Sequence, residues 1–364
     1  MDASVPTVAT MLLGWYDAHA RALPWRAQPE SPPPMSDKDW PYAVWLSEVM
    51  LQQTTTAAVA PYFARFLARW PTVEALAAAE DAEVMAAWAG LGYYARARNL
   101  LAAARAVAAR GGRFPQTEAG LRELPGVGAY IAAAVAAIAF GERAAVVDAN
   151  VERVVTRLHA IDTPLPQARG AIRAAVDAMT PADRPGDFAQ AMMDLGATIC
   201  TPRDPRCLLC PLAGPCAARA AGDPARFPVK PAKAARRERT GHAWWIERAD
   251  ADGPSVWLVR RPGQGMLGGM RALPDDGWSA KADGSGAGPL PGPWRTGGGV
   301  EHGFTHFLLR LTLGVYSGRD WDSLEPQHGE WWPLSRLDEA GLPTLFAKAA
   351  RLAMAERPQP GEND

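Results

Sequence analysis

Cysteine is nearly absent from this chain. Only four of its 364 residues are cysteine, and none lies before position 200 or after position 216. A disulfide framework is therefore excluded, and a reducing, cytoplasmic setting is expected. An excess of charge is missing too: 38 Lys and Arg face 39 Asp and Glu, for a net charge of −1. Nothing global announces a polyanion partner. Long hydrophobic runs are also absent. The apolar stretch 130–140 is too short to span a bilayer, and no segment reads as a signal peptide, so no membrane association is expected. A composition of 48% hydrophobic and 21% charged residues is ordinary for a soluble globular protein. The length suffices for two domains.

The cysteines that exist are concentrated. Cys200, Cys207, Cys210 and Cys216 are spaced C-x6-C-x2-C-x5-C. Four thiols this close are good metal ligands, and thiolates favour zinc or an iron–sulfur cluster. Structural zinc sites usually use two C-x2-C-type pairs on separate knuckles. Here only Cys207 and Cys210 have that spacing, and Pro202, Pro205, Pro211 and Pro215 hold the loop in turns. A one-loop cage suits a cubane cluster better, although spacing alone leaves both metals open. The one local basic excess is Lys230, Lys233, Arg236, Arg237 and Arg239. A solvated linker is its plain reading, with phosphate contact as the second.

Hydrophobic periodicity divides the chain. Residues 1–226 read as helical, with alanine-rich amphipathic runs broken by Pro and Gly. Helices are expected at 8–20, 42–53, 56–70, 72–78, 81–88, 95–110, 118–123, 129–140, 151–158, 168–179 and 185–199. Residues 227–240 form the basic interdomain linker. From 241 to 356 the pattern becomes α+β, with strands at 242–247, 255–260 and 307–316 and a helix at 343–356. Residues 275–299, loaded with Gly and Pro, are expected as a loose loop, and 357–364 as a tail.

Three motifs carry candidate chemistry. Leu124-Pro-Gly-Val-Gly-Ala-Tyr130 reads as a helix-hairpin-helix. Its Gly126, Val127 and Gly128 would place backbone amides at a helix N-terminus, where they bind phosphate without reading sequence. Alone, it is a helix–helix turn. Asp148, in Val147-Asp148-Ala-Asn150-Val151, sits just before a predicted helix. Alone it is an N-cap; otherwise it is a carboxylate beside a developing positive charge. Glu48 shares a helix face with Trp45, Leu51, Gln52 and Thr55. A carboxylate flanked by Trp45, Leu46, Val49 and Leu51 is out of place on a solvated face. An apolar pocket would raise its pKa, as a general acid near neutral pH requires.

Together these motifs resemble the MutY-type adenine DNA glycosylases of the endonuclease III-like helix-hairpin-helix superfamily. The matching segments are Leu23-Pro-Trp-Arg26, Trp45-Leu-Ser-Glu-Val-Met-Leu-Gln-Gln-Thr54, Gly90-Leu-Gly-Tyr-Tyr-Ala-Arg96, Leu124-Pro-Gly-Val-Gly128, Val147-Asp148 and the cysteine loop. The resemblance is dense over 8–216 and looser beyond. It implies a mostly α N-terminal domain, a helix-hairpin-helix DNA glycosylase fold with an iron–sulfur loop, plus an α+β Nudix-like C-terminal domain. It also implies that the cysteines hold a [4Fe-4S] cluster.

The implied partner is double-stranded DNA with adenine opposite 8-oxoguanine or guanine, bound by a monomer. The implied reaction is hydrolysis of the N-glycosidic bond of an extruded adenine. Glu48 matches the general acid, and Asp148 the carboxylate that stabilises the oxocarbenium-like sugar. Tyr130 stands where bifunctional relatives carry a Schiff-base lysine, so strand-cleaving lyase activity is not expected. Asn150 matches a residue positioning the sugar and Asp148. Trp25, Arg26, Leu51, Gln52 and Gln190 match pocket residues, although Ala189 replaces a commoner Asn. Residues 27–40 form a longer, Pro-rich link than usual. Gln53 and Tyr93 match side chains that wedge into DNA. Phe304-Thr305-His306 matches the Phe-Ser-His loop that reads 8-oxoguanine, with Thr305 in place of Ser. No Nudix box occurs, which argues against nucleotide hydrolysis. A bifunctional glycosylase for oxidised pyrimidines is opposed by Tyr130, and a silent cluster-bearing scaffold by intact Glu48 and Asp148.

Overall fold

The computed structural model describes residues 6–229, 236–250, 253–263, 265–304, 306–321, 323–324 and 329–357. Thr305, Lys230, Lys233 and the tail beyond Arg357 lie outside the described residues. The chain divides into two compact units, Met1–Ala79 with Asn99–Lys233, and Glu80–Arg98 with Ala234–Asp364. The helical segment Glu80–Arg98 thus groups with the second unit, although its composition matches the first.

In chain order the helices are α1 Val8–His19, α2 Trp40–Leu51, α3 Thr56–Arg69, α4 Val73–Ala77, α5 Asp81–Trp88, α6 Ala95–Ala108, α7 Glu118–Leu121, α8 Ala129–Phe140, α9 Ala149–Leu158, α10 Arg169–Met179, α11 Pro185–Thr198 and α12 Ala217–Ala220. Their starts follow capping chemistry. Thr7, Thr55, Thr72 and Thr117 each accept from an amide of the first turn. Gly141, at φ 69°, ends α8 in the left-handed conformation that glycine adopts without strain.

In the first unit α2 packs against α8 and α3, and α11 against α1, α8 and α9. Residues Trp40–Met50 of α2 are all buried, as are Ile131–Ala137 of α8. The alanines of α8 permit this closeness. At Gly186 of α11 a Cβ would come within 2.6 Å of the Ala137 carbonyl. The second core combines Leu12 and Tyr16 of α1 with Val151 and Val155 of α9 and Phe188 and Met192 of α11. Among the described residues no helix is long and apolar enough to cross a membrane.

The second unit has strands β1 Arg237–Trp245, β2 Glu247–Asp250, β3 Gly253–Arg260, β4 Arg271–Ala272, β5 Trp294–Gly303, β6 Phe307–Tyr316 and β7 Gly329–Pro333, then α13 Thr344–Ala355. One sheet runs β1-β6-β5, with β1 parallel and β5 antiparallel to β6. In the other, β3 pairs antiparallel with β2, β4 and β7. Helix α13 lies on the first sheet, with Phe346 and Ala349 in its core.

Two expectations are corrected here. The end of the supposed linker is strand: Arg237–Thr240 pair with Phe307–Arg310, and Arg310 bonds Glu238 at 3.2 Å. Residues 276–293 are an irregular, largely exposed loop as expected, but 275–299 is not loose throughout. Trp278 and Leu290 are buried, and β5 begins at Trp294. The glycines that suggested a loop form a bulge between Thr296 and Gly299, with Gly298 at φ 84°. A Cβ there would come 2.9 Å from Leu352 Cδ2 of α13. The bulge lets the helix close on the sheet.

Candidate active site

Helix α2 has no solvent face, so Glu48 is buried with its apolar neighbours, at 4% exposure. Its partner comes from the second residue of α8. The Tyr130 hydroxyl donates to Glu48 Oε2 at 2.5 Å and lies 3.5 Å from Met193 Sδ on α11. Burial pushes the Glu48 carboxyl up to about 6, against the Tyr130 bond and the positive charge of Arg26, while Asp148 adds to the rise. Burial, reinforced by Glu48 and Asp148, drives the Tyr130 hydroxyl well above its ordinary value. Tyr130 is therefore a fixed donor, and Glu48 an acid that can hold its proton near neutrality.

Asp148 combines both of its sequence readings. Its Oδ1 caps α9, accepting from the Val151 amide at 2.7 Å, and its Oδ2 accepts from Asn150 Nδ2 at 2.8 Å. Burial raises its pKa and these bonds oppose the rise. Arg153 holds Asn150 from behind. Its Nη2 donates to Asn150 Oδ1 and to the Gly196 carbonyl, both at 2.8 Å, and its Nε to the Cys200 carbonyl at 2.7 Å. A bonded path thus runs from Asp148 to the cysteine loop. At Gly196 a Cβ would lie 2.6 Å from Asn150 Cβ. Gly196→Ala should accordingly cost roughly 1–3 kcal/mol in denaturant unfolding and slow the chemistry by displacing Asn150.

The expected pocket residues are brought to the same unit. Trp25 is buried edge-on against Phe63 of α3, with ring centroids 5.4 Å apart. Arg26 reaches Asp194 of α11 at 2.7 Å, and the same carboxylate holds Arg21. Gln190 is buried one helical turn before Asp194. Leu51 and Gln52 are half-buried at the C-terminal end of α2. The long segment 27–40 is anchored as well: Arg184 binds Glu30 at 3.2 Å together with Asp17 and Asp187.

The hairpin needs one correction. Val127 turns its side chain into the core, and its amide donates to the Leu124 carbonyl at 3.1 Å. It offers a ligand neither side chain nor N–H. Gly126, at φ 71°, packs against Asn99, and Gly128 caps α8 with open space in front of it. Gln53 is exposed with φ 57°. Tyr93, which belongs to the second unit, is 52% exposed with φ 48°. Both hold left-handed backbone, uncommon for residues with a side chain and concentrated at functional sites. In the second unit the Phe304 amide bonds the Phe307 carbonyl at 2.9 Å, where β5 passes into β6. Phe304 stacks on Phe307 and meets His302 edge-on, whereas His306 is exposed.

The four cysteines are half-buried, and none is in a disulfide. Cys207 and Cys210 bracket one 3-10 turn, and Cys216 precedes α12. The thiols sense one another electrostatically, and burial pushes Cys210 up to about 11 and raises Cys200. Arg157 of α9 supplies a compensating cation, with Nη1 3.3 Å from Cys200 Sγ. It also donates to the carbonyls of Thr201, Pro202 and Phe227. Among the described residues no group is set to hold a single metal ion. The structure thus offers a donor set with a buried guanidinium beside it, which fits a thiolate-bound centre.

Sequence reasoning missed Arg153, Arg157, Met193 and Asp194. Arg153 and Arg157 carried no local signal. Asp194 did, since it interrupts an apolar run at 191–195 as Glu48 interrupts its own.

Comparisons with known proteins agree with this geometry. Residues 46–176 match the HhH-GPD superfamily of base excision DNA repair proteins, and residues 242–352 match a NUDIX domain. The chain is 35% identical to the adenine DNA glycosylase of Homo sapiens, over 98% of this chain and 76% of that protein. It is 44% identical to that of Mycolicibacterium smegmatis, over 59% of this chain and 70% of that protein. Among solved structures, a thermostable thymine-DNA glycosylase superposes with a TM-score of 0.52 at 30% identity, covering 58% of this chain and 95% of that one. With such identity to the human enzyme over nearly the whole of this chain, and a buried acid, a capped carboxylate and a cysteine loop in one unit, the chain belongs to the adenine DNA glycosylase family.

Proposed function

We propose that this protein excises adenine opposite 8-oxoguanine or guanine from duplex DNA, acting as a monomeric, monofunctional glycosylase. The observation that carries the reading is the pair of carboxylates with separate duties. Glu48 is buried, raised to about 6 and held by Tyr130, and Asp148 is held by two donors that favour its ionised form. An extruded adenine takes the Glu48 proton, and the electrons of the breaking C–N bond leave with the base. Asp148 stabilises the positive sugar until water adds to it. Tyr130 has no amine with which to form an imine, so the abasic product keeps its strand intact.

The open N-terminus of α8 behind Gly128 supports a phosphate contact near the extruded nucleotide. Exposed Gln53 and Tyr93 support a wedging role. Phe304 and His306 between β5 and β6 support contact with the opposite base. Cys200, Cys207, Cys210 and Cys216 would hold a [4Fe-4S] cluster, which supplies a structural clamp on the loop.

The test is a duplex with adenine opposite 8-oxoguanine, incubated with the protein and resolved with and without alkali. Strand breaks only after alkali are expected. Breaks without alkali would refute the monofunctional assignment, and absence of adenine release would refute the enzyme reading.

A further inference from the structure

Asp194 is an unusual carboxylate. Its side chain is fully buried, yet two arginines converge on it. Arg21 donates through Nε at 2.6 Å to Oδ1 and through its backbone amide at 3.2 Å to Oδ2. Arg26 donates through Nη1 at 2.7 Å to Oδ2. One carboxylate therefore clips both ends of the turn Arg21–Arg26, whose Trp25 is buried against α3. Asp194 also shares its face of α11 with Gln190, and the adjacent Met193 touches the Tyr130 hydroxyl.

The charge count decides what this clip does. Two guanidiniums against one carboxylate leave one positive charge uncompensated. The guanidinium of Arg26 is only 6% exposed, and its charge is felt by Glu48 and Tyr130. The other groups that bear on Glu48 are Tyr130 from α8 and Asp148 at the head of α9. The groups facing the clip are Asp187 and Tyr16 of α1, whose buried hydroxyl has no hydrogen-bond partner among the described residues.

We propose that Asp194 is a positioning residue that clips the Arg21–Arg26 turn, fixes the Arg26 guanidinium and limits the adenine pocket to one surplus positive charge. This inference rests on the glycosylase reading. Without Asp194 both guanidiniums are uncompensated, the positive field at Glu48 grows, and its carboxyl loses its proton at lower pH. Without Arg26 that field is lost, and the carboxyl keeps its proton to higher pH. A merely structural role would slow the reaction without moving its pH dependence.

The experiment is single-turnover adenine release from the adenine:8-oxoguanine duplex over a pH series. It compares the wild-type protein, Asp194→Asn, Arg26→Gln and the double variant, each checked for folding by circular dichroism. Each single variant should lower the plateau rate roughly 10- to 100-fold. Arg26→Gln should move the alkaline limb of the profile upward and Asp194→Asn downward, each by about half a pH unit. The double variant should be no worse than the worse single one. An unmoved limb in Asp194→Asn, or additive losses in the double variant, overturns the proposal. Should Asp194→Asn not fold, Asp194→Glu and Arg26→Gln carry the test: Glu should restore part of the plateau, and an unmoved limb in Arg26→Gln overturns the proposal. If the wild-type protein releases no adenine, the glycosylase reading itself has failed.

Discussion

Replacing Glu48 by Gln will cut adenine release roughly a thousandfold and at the same time make the protein more stable. The two effects share one cause. Gln is isosteric and can still accept from the Tyr130 hydroxyl, but it has no proton to give to the departing base. General acid catalysis of this kind contributes 10²–10⁴-fold, so a loss of roughly a thousandfold is expected under single-turnover conditions. The stability change follows from the raised pKa. Burial lifts the Glu48 carboxyl from an ordinary 4.5 to about 6, so the folded state binds its proton more tightly than the unfolded chain does. The associated stability is fully present below pH 4.5 and lost as pH rises through 6. At pH 7.5 the wild-type protein thus carries a penalty of about 2 kcal/mol that the Gln variant lacks. Urea melts of the two proteins should differ at pH 7.5 and converge near pH 4.5. Equal melts at both values would mean that Glu48 titrates as an exposed glutamate does.

Asp148→Asn will separate chemistry from architecture. Asn caps helices as well as Asp does, and a side-chain oxygen remains for the Val151 amide, so stability should change by less than about 1 kcal/mol. What disappears is the negative charge next to the sugar. Removing such preorganised electrostatic stabilisation typically costs 10²–10³-fold, and the loss should fall on the chemical step rather than on duplex binding. Gel-shift affinity for the adenine:8-oxoguanine duplex should stay within about threefold of wild type while the rate collapses. A variant that unfolds, or one that keeps its rate, would reduce Asp148 to the cap it also is.

Which parts of this were legible in the sequence has a physical pattern. Local chemistry was readable. Glu48 stood out because four apolar neighbours along a helix leave a carboxylate nowhere to be solvated, and α2 proves buried on every side. The cysteine loop and the hairpin were readable because spacing alone brings their residues together. Long-range partners were not. Asp194 meets Arg21 across 173 positions and Arg153 meets Cys200 across 47, and no window along the chain spans such pairs. The second unit misled in a different way. Glycines in 297–299 suggest a loop in isolation, yet they are needed where α13 closes on β5. Val127 shows the same limit at smaller scale, since a motif names its residues without saying which of them face inward.

The burial of α2 from Trp40 to Met50 has a consequence for how such an enzyme diversifies. A helix with no solvent face has no neutral positions along which substitutions can accumulate, because every change there is a change of core volume. The acid is in effect frozen in place with the scaffold. New base preferences have to arise at the periphery, in the turn that carries Trp25 and Arg26, at the half-buried Leu51 and Gln52, and in the separate unit that bears Phe304 and His306. Evolutionary novelty in this architecture is expected to be a history of rims and appended domains around an unchanging buried carboxylate.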